Sequence, residues 1–359
     1  MKHQDWLLQL TGLPTAAGCE DRVIGWVRRW AARRRQVNLR VDRFGNLELR
    51  RRGARSAWPI YFVAHMDHPS FVVDKIIGPR RLLAVFRGGV AGSYFRGSKV
   101  LLYHGDMSAQ RGTVRTRPAG TQKKVEVTFA ENITAQVDDV LTWSTGEPRV
   151  VGSRLKAPAC DNLAGVATAV SAFDSLSRST QDVRVLLTRA EEIGFVGTLG
   201  VCSKRLVAES ARIIVLECSK AFAESPIGAG PVVRVGDRTS TFDPQLTYRI
   251  GRVAQGLCEK DHNFKWQRKL MPGGTCEATA FQAFGYTAAC VCLPLGNYHN
   301  MDEKSGRIGA EVISLSDYHA LIQLLTAVSL SLGKPTDSLK AILTTTFERG
   351  RYVLGVDGT

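Results

Sequence analysis

Side chains able to bind divalent cations fall at the ends of separate hydrophobic runs of this sequence. His65 closes PIYFVAH, Glu217 closes RIIVLE and His299 follows CVCLPL. Glu191 and Glu192 follow VRVLLT, and Asp161 stands at the start of the helical pattern DNLAGVATAVSAFDSL. Two imidazoles and three carboxylates suit zinc or a similar divalent ion. Three carboxylates do not gather unpaired at neutral pH without cost, and two divalent ions would offset them. Such a pair would draw the pKa of a shared water toward neutrality and supply a hydroxide nucleophile. One carboxylate must then bridge, and Asp161, short and held at a helix start, is the candidate. Adjacent Glu191 and Glu192 point in different directions, so one can ligate while the other takes a proton from the water. Asp67, two residues past His65, can hydrogen-bond the second imidazole nitrogen and fix its tautomer.

Each signal is weak alone. A His-x-Asp triplet is common, an adjacent pair of glutamates is usually a solvated turn, and His299 by itself could be an ordinary loop histidine. Their joint position carries the argument, because sites in open α/β sheets form at the carboxyl ends of strands. His3, His104, His262 and His319 lack that context, and His319 reads as structural within a helix. His68 is close enough to His65 for a supporting or substrate contact.

The elements that would place these groups alternate between strand and helix. PIYFVAH is a continuous apolar run, as expected of a strand buried on both faces of a parallel sheet. Helices are expected near 19–34, over DNLAGVATAVSAFDSL, TLGVCSKRL and CEATAFQAFG, and over a long terminal segment SLSDYHALIQLLTAVSLSL capped by Ser314 or Ser316. VNLRVD and NLELRRR flank Phe44-Gly45 and predict a hairpin. Residues 70–152 instead carry short β-rich runs with glycine turns and no helical pattern. The expected fold is therefore α/β, a mixed central sheet with helices on both faces, formed by residues 1–69 and 153–359. A small β-barrel-like insert at 70–152 would serve as a lid or oligomerisation unit.

The 359 residues suffice for a large core without disulfides. The eight cysteines are scattered with no CxxC pair, which argues for buried thiols in a reducing, cytoplasmic setting and against a cysteine zinc site. No apolar run of about 18 residues predicts a membrane span. The N-terminal AAGC is too interrupted by Gly12, Pro14 and polar residues to read as a signal peptide. The formal charge is +15, and arginines crowd positions 28–55. Such a patch can meet a polyanion, but no nucleic-acid motif accompanies it, and a solvated face is the plainer reading.

AHMD at 64–67, ACDNLAG at 159–165, AEEIGFVG at 190–197, LEC at 216–218 and PLGNYHNMDE at 294–303 resemble the motifs of the co-catalytic dizinc aminopeptidases. The similarity spans nearly the whole chain and is nearest to the glutamyl and deblocking aminopeptidases, a branch once grouped with endoglucanases. The resemblance implies that His65 and Glu217 hold one metal, Glu192 and His299 the other, and that Asp161 bridges both. It makes Glu191 the general base and Asp67 the support of His65. It further implies two divalent ions, zinc first with cobalt or manganese as alternatives, short peptides as substrates, and a homo-oligomer as large as a dodecameric shell. The sequence departs from the branch at Glu217, where aspartate is usual, at Asn162, at Cys276-Glu277, and after His299, where Asn-Met-Asp-Glu replaces Ser-Pro-x-Glu. These departures surround the substrate pocket and bear on specificity. Two rival readings are a related metal-dependent carboxypeptidase or deacylase of N-acyl amino acids and a nucleic-acid-binding protein on an inactive peptidase scaffold. The all-β insert argues against the first, and the complete ligand set against the second.

Overall fold

The computed structural model describes residues 2–105, 107–332 and 339–354. Its frame is an eight-stranded sheet whose four inner strands, Val183–Thr188, Ile60–His65, Arg212–Lys220 and Thr287–Leu295, run parallel to one another. The hairpin Val37–Val41 and Leu47–Arg51 adds antiparallel to one side. Val232–Gly236 adds antiparallel to the other side and carries Gln267–Leu270 in parallel. The sheet is thus mixed.

Both faces are covered, as the strands' own periodicity requires. Along Ile60–His65, Phe62 and Ala64 pack in one core while Tyr61 and Val63 pack in another. The same alternation separates Ile214 and Leu216 from Ile213 and Val215. The larger core is roofed by helices Lys2–Thr11, Asp21–Ala32, Leu163–Ser175, Pro244–Lys260 and Leu315–Ser331. The smaller is roofed by Val196–Ser203 and Glu277–Ala283. His65 and Glu217 share the parity of Val63 and Val215, so both side chains leave the sheet on the smaller core's side.

Residues 70–143 fold separately into a closed six-stranded barrel. Its order is Ser70–Gly78, Arg81–Arg87, Lys124–Phe129, Ala109–Val114, Lys99–Tyr103 and Val140–Trp143. Closure leaves no free sheet edge. Edge-to-face aromatics fill the barrel: Phe71 lies 4.6 Å from Trp143 and 4.8 Å from Phe86 between ring centroids. The next strand, Arg149–Val151, is outside the barrel and pairs with Arg154–Ala157, which in turn pairs with Glu311–Ser314.

Several details differ from the sequence reading. Helices Lys2–Thr11 and Pro244–Lys260 and strands Val232–Gly236 and Gln267–Leu270 are not among the expected elements, although Pro244–Lys260 carries a helical stripe of Leu246, Ile250, Val253, Ala254 and Leu257 behind an Asp243 N-cap. Asp161 precedes its helix, which begins at Leu163. The helix Leu315–Ser331, with Ser314 Oγ accepting from the Asp317 amide, is followed by Leu339–Gly350, so it is not terminal. Within the arginine-rich stretch, Arg34 pairs with Asp174 at 3.2 Å and Arg51 is buried against the Phe173 carbonyl, so part of that charge is structural. Among the described residues, no helix is long and apolar enough to cross a membrane.

Phe71 is fully buried at the centre of the barrel's aromatic cluster. Replacing it with alanine should destabilise the protein by ~3–5 kcal/mol, the usual range for a buried phenylalanine. Chemical denaturation measures this, and a loss under ~1 kcal/mol would show that the cluster does not hold the barrel.

Candidate metal centre

The main sheet and its loops bring six of the seven candidate residues to one cavity edge, with Asp67 buried behind them. His65 ends its strand, Glu217 lies within Arg212–Lys220, and Glu191 and Glu192 occupy the turn after Val183–Thr188. Asp161 sits in the turn before Leu163–Ser175, and His299 in the short turn Tyr298–Asn300. Asp161 lies between the two histidines: Oδ1 is 3.6 Å from His65 Nε2, and Oδ2 is 3.5 Å from His299 Nε2. Glu217 Oε2 is 3.8 Å from His65 Nε2, and Glu192 Oε1 is 3.3 Å from His299 Nε2. Glu191 Oε2 is 3.9 Å from His65 Nε2. Ligand atoms of His65, Asp161 and Glu217 lie within 4.8 Å of one another, as do those of Asp161, Glu192 and His299. The two triads share only Asp161.

The donor set fits divalent cations. Asp161 Oδ1 and Glu217 Oε1 are buried with no hydrogen-bond partner, a state that costs free energy unless a cation supplies the missing interaction. His65 Nδ1 lies 3.2 Å from the Asp67 carbonyl, and His299 Nδ1 lies 2.6 Å from the Gly89 carbonyl. A carbonyl only accepts, so both Nδ1 atoms carry hydrogen and both Nε2 atoms face the carboxylates. Burial opposes charging these imidazoles, but Glu191 and Asp161 at His65, and Glu192 and Asp161 at His299, outweigh it and hold both pKa values well above the ordinary histidine range. Burial pushes Glu191 well above the usual carboxylate range; His65 offsets this in part and Glu217 and Glu192 reinforce it.

Buried carboxylates hold the turns that carry the candidate ligands. The two oxygens of Asp67 accept from the amides of Glu191 and Glu192, each at 3.0 Å, while Oδ1 is 3.4 Å from His65 Nδ1. Asp67 therefore organises the glutamate turn as well as facing the histidine. Glu20, which the sequence reading missed, accepts from the Ala190 amide at 2.9 Å and from Arg189 Nε at 2.6 Å. Glu277 is buried behind the site, accepting from Thr188 and Thr198, and burial raises its pKa to about 7. His68 joins the Asp161 carbonyl to Asn300 Oδ1, a supporting contact to a ligand loop. After His299, the exposed Glu303 pairs with Lys220 at 2.6 Å, while a different glutamate, Glu311, is buried against the site. No local motif marks Glu20 or Glu311; only the fold brings them in.

A cavity of about 470 Å³ opens over this cluster. Phe222, Met271, Tyr298 and Arg234 line it beside the acidic groups.

The profile of the M42 glutamyl aminopeptidase family matches residues 45–324. The chain belongs to that family. A protein of Acetivibrio thermocellus named as an aminopeptidase is 23% identical over 309 residues, covering 80% of this chain and 86% of its own. Among solved structures, an aminopeptidase of the archaeon Desulfurococcus kamchatkensis superposes with a TM-score of 0.75 at 20% identity, covering 91% of this chain and 94% of its own. The TET1 peptidase of Pyrococcus horikoshii, which can assemble into a tetrahedron or a large octahedral shell, gives 0.74 at 17% identity, covering 91% and 99%. The mixed α/β frame of this M42 chain is the fold of those neighbours. Membership places it among metal-dependent aminopeptidases, which are hydrolases.

A cation bound through both Nε2 atoms must displace the protons they carry, and the neighbouring carboxylates favour those protons by raising both imidazole pKa values. Zinc or cobalt binding at pH 7 should therefore release protons, and apparent affinity should fall as the pH is lowered. Calorimetry in buffers of different ionisation enthalpy measures the release. Binding without proton release would show that His65 and His299 are not ligands.

Proposed function

We propose that this chain removes the N-terminal residue from short peptides, using a water activated by two divalent ions. The observation that carries the reading is the geometry of Asp161, whose two oxygens face different imidazoles at nearly equal distances of 3.6 and 3.5 Å. A carboxylate so placed is built to be shared. His65 and Glu217 would hold one ion and Glu192 and His299 the other, with zinc the first candidate and cobalt or manganese as alternatives. Such ions, when bound, supply Lewis acidity and a water acidified toward neutrality.

The chain's own groups do the rest. Glu191 Oε2 faces the same cavity outside the two triads that share Asp161, grouping instead with His65 and Glu192, and it takes the water's proton and returns it to the leaving amine. Asp67 fixes the direction of Glu191 by accepting from its amide, so the base is aimed by a buried and immobile group. Phe222, Met271 and Tyr298 give the cavity an apolar wall for a substrate side chain. The barrel stands beside His299 through Gly89 and acts as a lid that limits access to short peptides. By likeness to the Pyrococcus horikoshii peptidase, we place the chain in a large homo-oligomer.

Glu191→Gln should keep divalent-ion binding and lower kcat on aminoacyl anilides by ~100- to 10,000-fold, the usual contribution of a positioned general base. Unchanged turnover would remove Glu191 from this role. A panel that also contains N-acyl amino acids tests the reaction class, and hydrolysis of those alone would replace this reading with a deacylase.

A further inference from the structure

We propose that Glu311 is a positioning residue that sets one of the two metal sites, the one formed by Asp161, Glu192 and His299, and leaves the other largely independent. The inference rests on the two-metal reading above. Glu311 Oε2 accepts from the Asp161 amide at 2.8 Å, and Oε1 accepts from the His299 amide at 2.9 Å. Both acceptors of one fully buried carboxylate are thus spent on the backbones of two ligands.

The position of Glu311 explains why one residue can reach both. Its strand, Glu311–Ser314, pairs with Arg154–Ala157 in the register Ala157↔Glu311, and Arg154–Ala157 leads directly to the Asp161 turn. Its strand also follows the turn that carries His299, after the small hairpin Met301–Asp302 and Arg307–Ile308. Glu311 therefore ties together two loops that lie off the strands of the main sheet, although the Asp161 turn also meets that sheet through Asn162 Nδ2 on the Leu216 carbonyl at 2.7 Å.

The two metal sites differ in this respect. His65 and Glu217 project from inner parallel strands, where they stand in sheet register with Thr188 and Cys292. Asp161 and His299 are carried by irregular backbone, and His299 has the left-handed φ of 54° between Asn297 at 54° and Asn300 at 63°. A side chain in that conformation holds only where its surroundings over-determine it. The shared Asp161 would still meet His65 and Glu217 after a small shift of its turn, whereas Glu311 holds the amides of Asp161 and His299 themselves, beside the outer ties that His68 and Asn300 make between the same loops.

The test is calorimetric titration of the metal-free full chain with zinc, together with the visible spectrum of the cobalt-loaded protein. Glu311→Gln offers one carbonyl and places an amide N–H against the other backbone donor. Glu311→Asp keeps the charge but is one methylene shorter, so it reaches only one amide. The exposed Glu303→Gln serves as a control. Wild type is expected to bind two ions. In both Glu311 variants one Kd should rise by ~10- to 100-fold, as is typical for loss of a ligand's supporting partner, and the other should stay within ~3-fold. The cobalt bands of one site should shift, the metal-free Tm should stay close to that of wild type, and Glu303→Gln should match wild type throughout. Two unchanged sites, equal weakening of both sites, or failure of both variants to fold would overturn the assignment while the two-metal reading stands. Wild type binding fewer than two ions would instead overturn that reading, and this assignment with it.

Discussion

Asp161, Glu191, Glu192 and Glu217 bring four carboxylates to a cavity edge where water is largely excluded, and their mutual repulsion is the constraint the scaffold must withstand. Two like charges 4 Å apart repel by roughly 4 kcal/mol at an effective dielectric constant of 20. Protonation of His65 and His299, which these carboxylates favour, offsets part of this. The remainder falls on the fold, and it explains why the site stands on a sheet covered on both faces. Ile213, Val215, Tyr61 and Val63 on one face and Ile214, Leu216, Phe62 and Ala64 on the other fix the two strands from which His65 and Glu217 project.

The loops lack that support, and a second device replaces it. Asp67 accepts two amides of the glutamate turn, Glu20 accepts from the residues just before it, and Glu311 accepts from the amides of Asp161 and His299. The pattern recurs elsewhere in the fold: Asp237 accepts from the amides of Thr239 and of Cys276, which lines the cavity, and Asp317 from those of Gly228 and Gly230. A buried carboxylate that accepts two amides has its lone pairs directed and its charge partly offset by N–H dipoles. Negative charge placed behind an acidic site would ordinarily add to the repulsion. Directed at backbone donors, it becomes the means of fixing loops without a strand.

The difference between these two kinds of support decides what could be read from the sequence. His65, Glu217 and the strands that carry them follow from continuous apolar runs that end in polar groups, a signal contained within each segment. The barrel strands and most helices follow for the same reason. Glu20 and Glu311 follow from nothing local, because each acts on backbone groups far away in sequence and its own neighbours carry no chemistry. Spacing alone set Glu303 after His299 in the place of a familiar glutamate, yet Glu303 is exposed and the buried group is Glu311, eight positions on past a short hairpin. Strands Val232–Gly236 and Gln267–Leu270 escaped for a related reason. The first carries Arg234 in its interior and the second is too polar to show a period.

Residues 70–143 are an insertion by topology, but the chemistry does not treat them as separate. The Gly89 carbonyl, just past the barrel strand Arg81–Arg87, accepts from His299 Nδ1 at 2.6 Å and so decides which nitrogen of that ring faces Asp161 and Glu192. Gly88 beside it has φ 141°, and a Cβ there would come within 2.6 Å of the Pro69 side chain, so only glycine brings the carbonyl this close. Arg87 reaches across to the Ala17 carbonyl and Lys123 holds the Gly88 carbonyl within the insert, both at 2.6 Å, so the loop is tied both to the main domain and to the barrel. A unit that only covered the cavity would have no need to touch a ligand's second nitrogen. Because it does, any movement of the barrel relative to the sheet alters the hydrogen bond that orients His299, and the barrel and the acidic cluster are mechanically one structure.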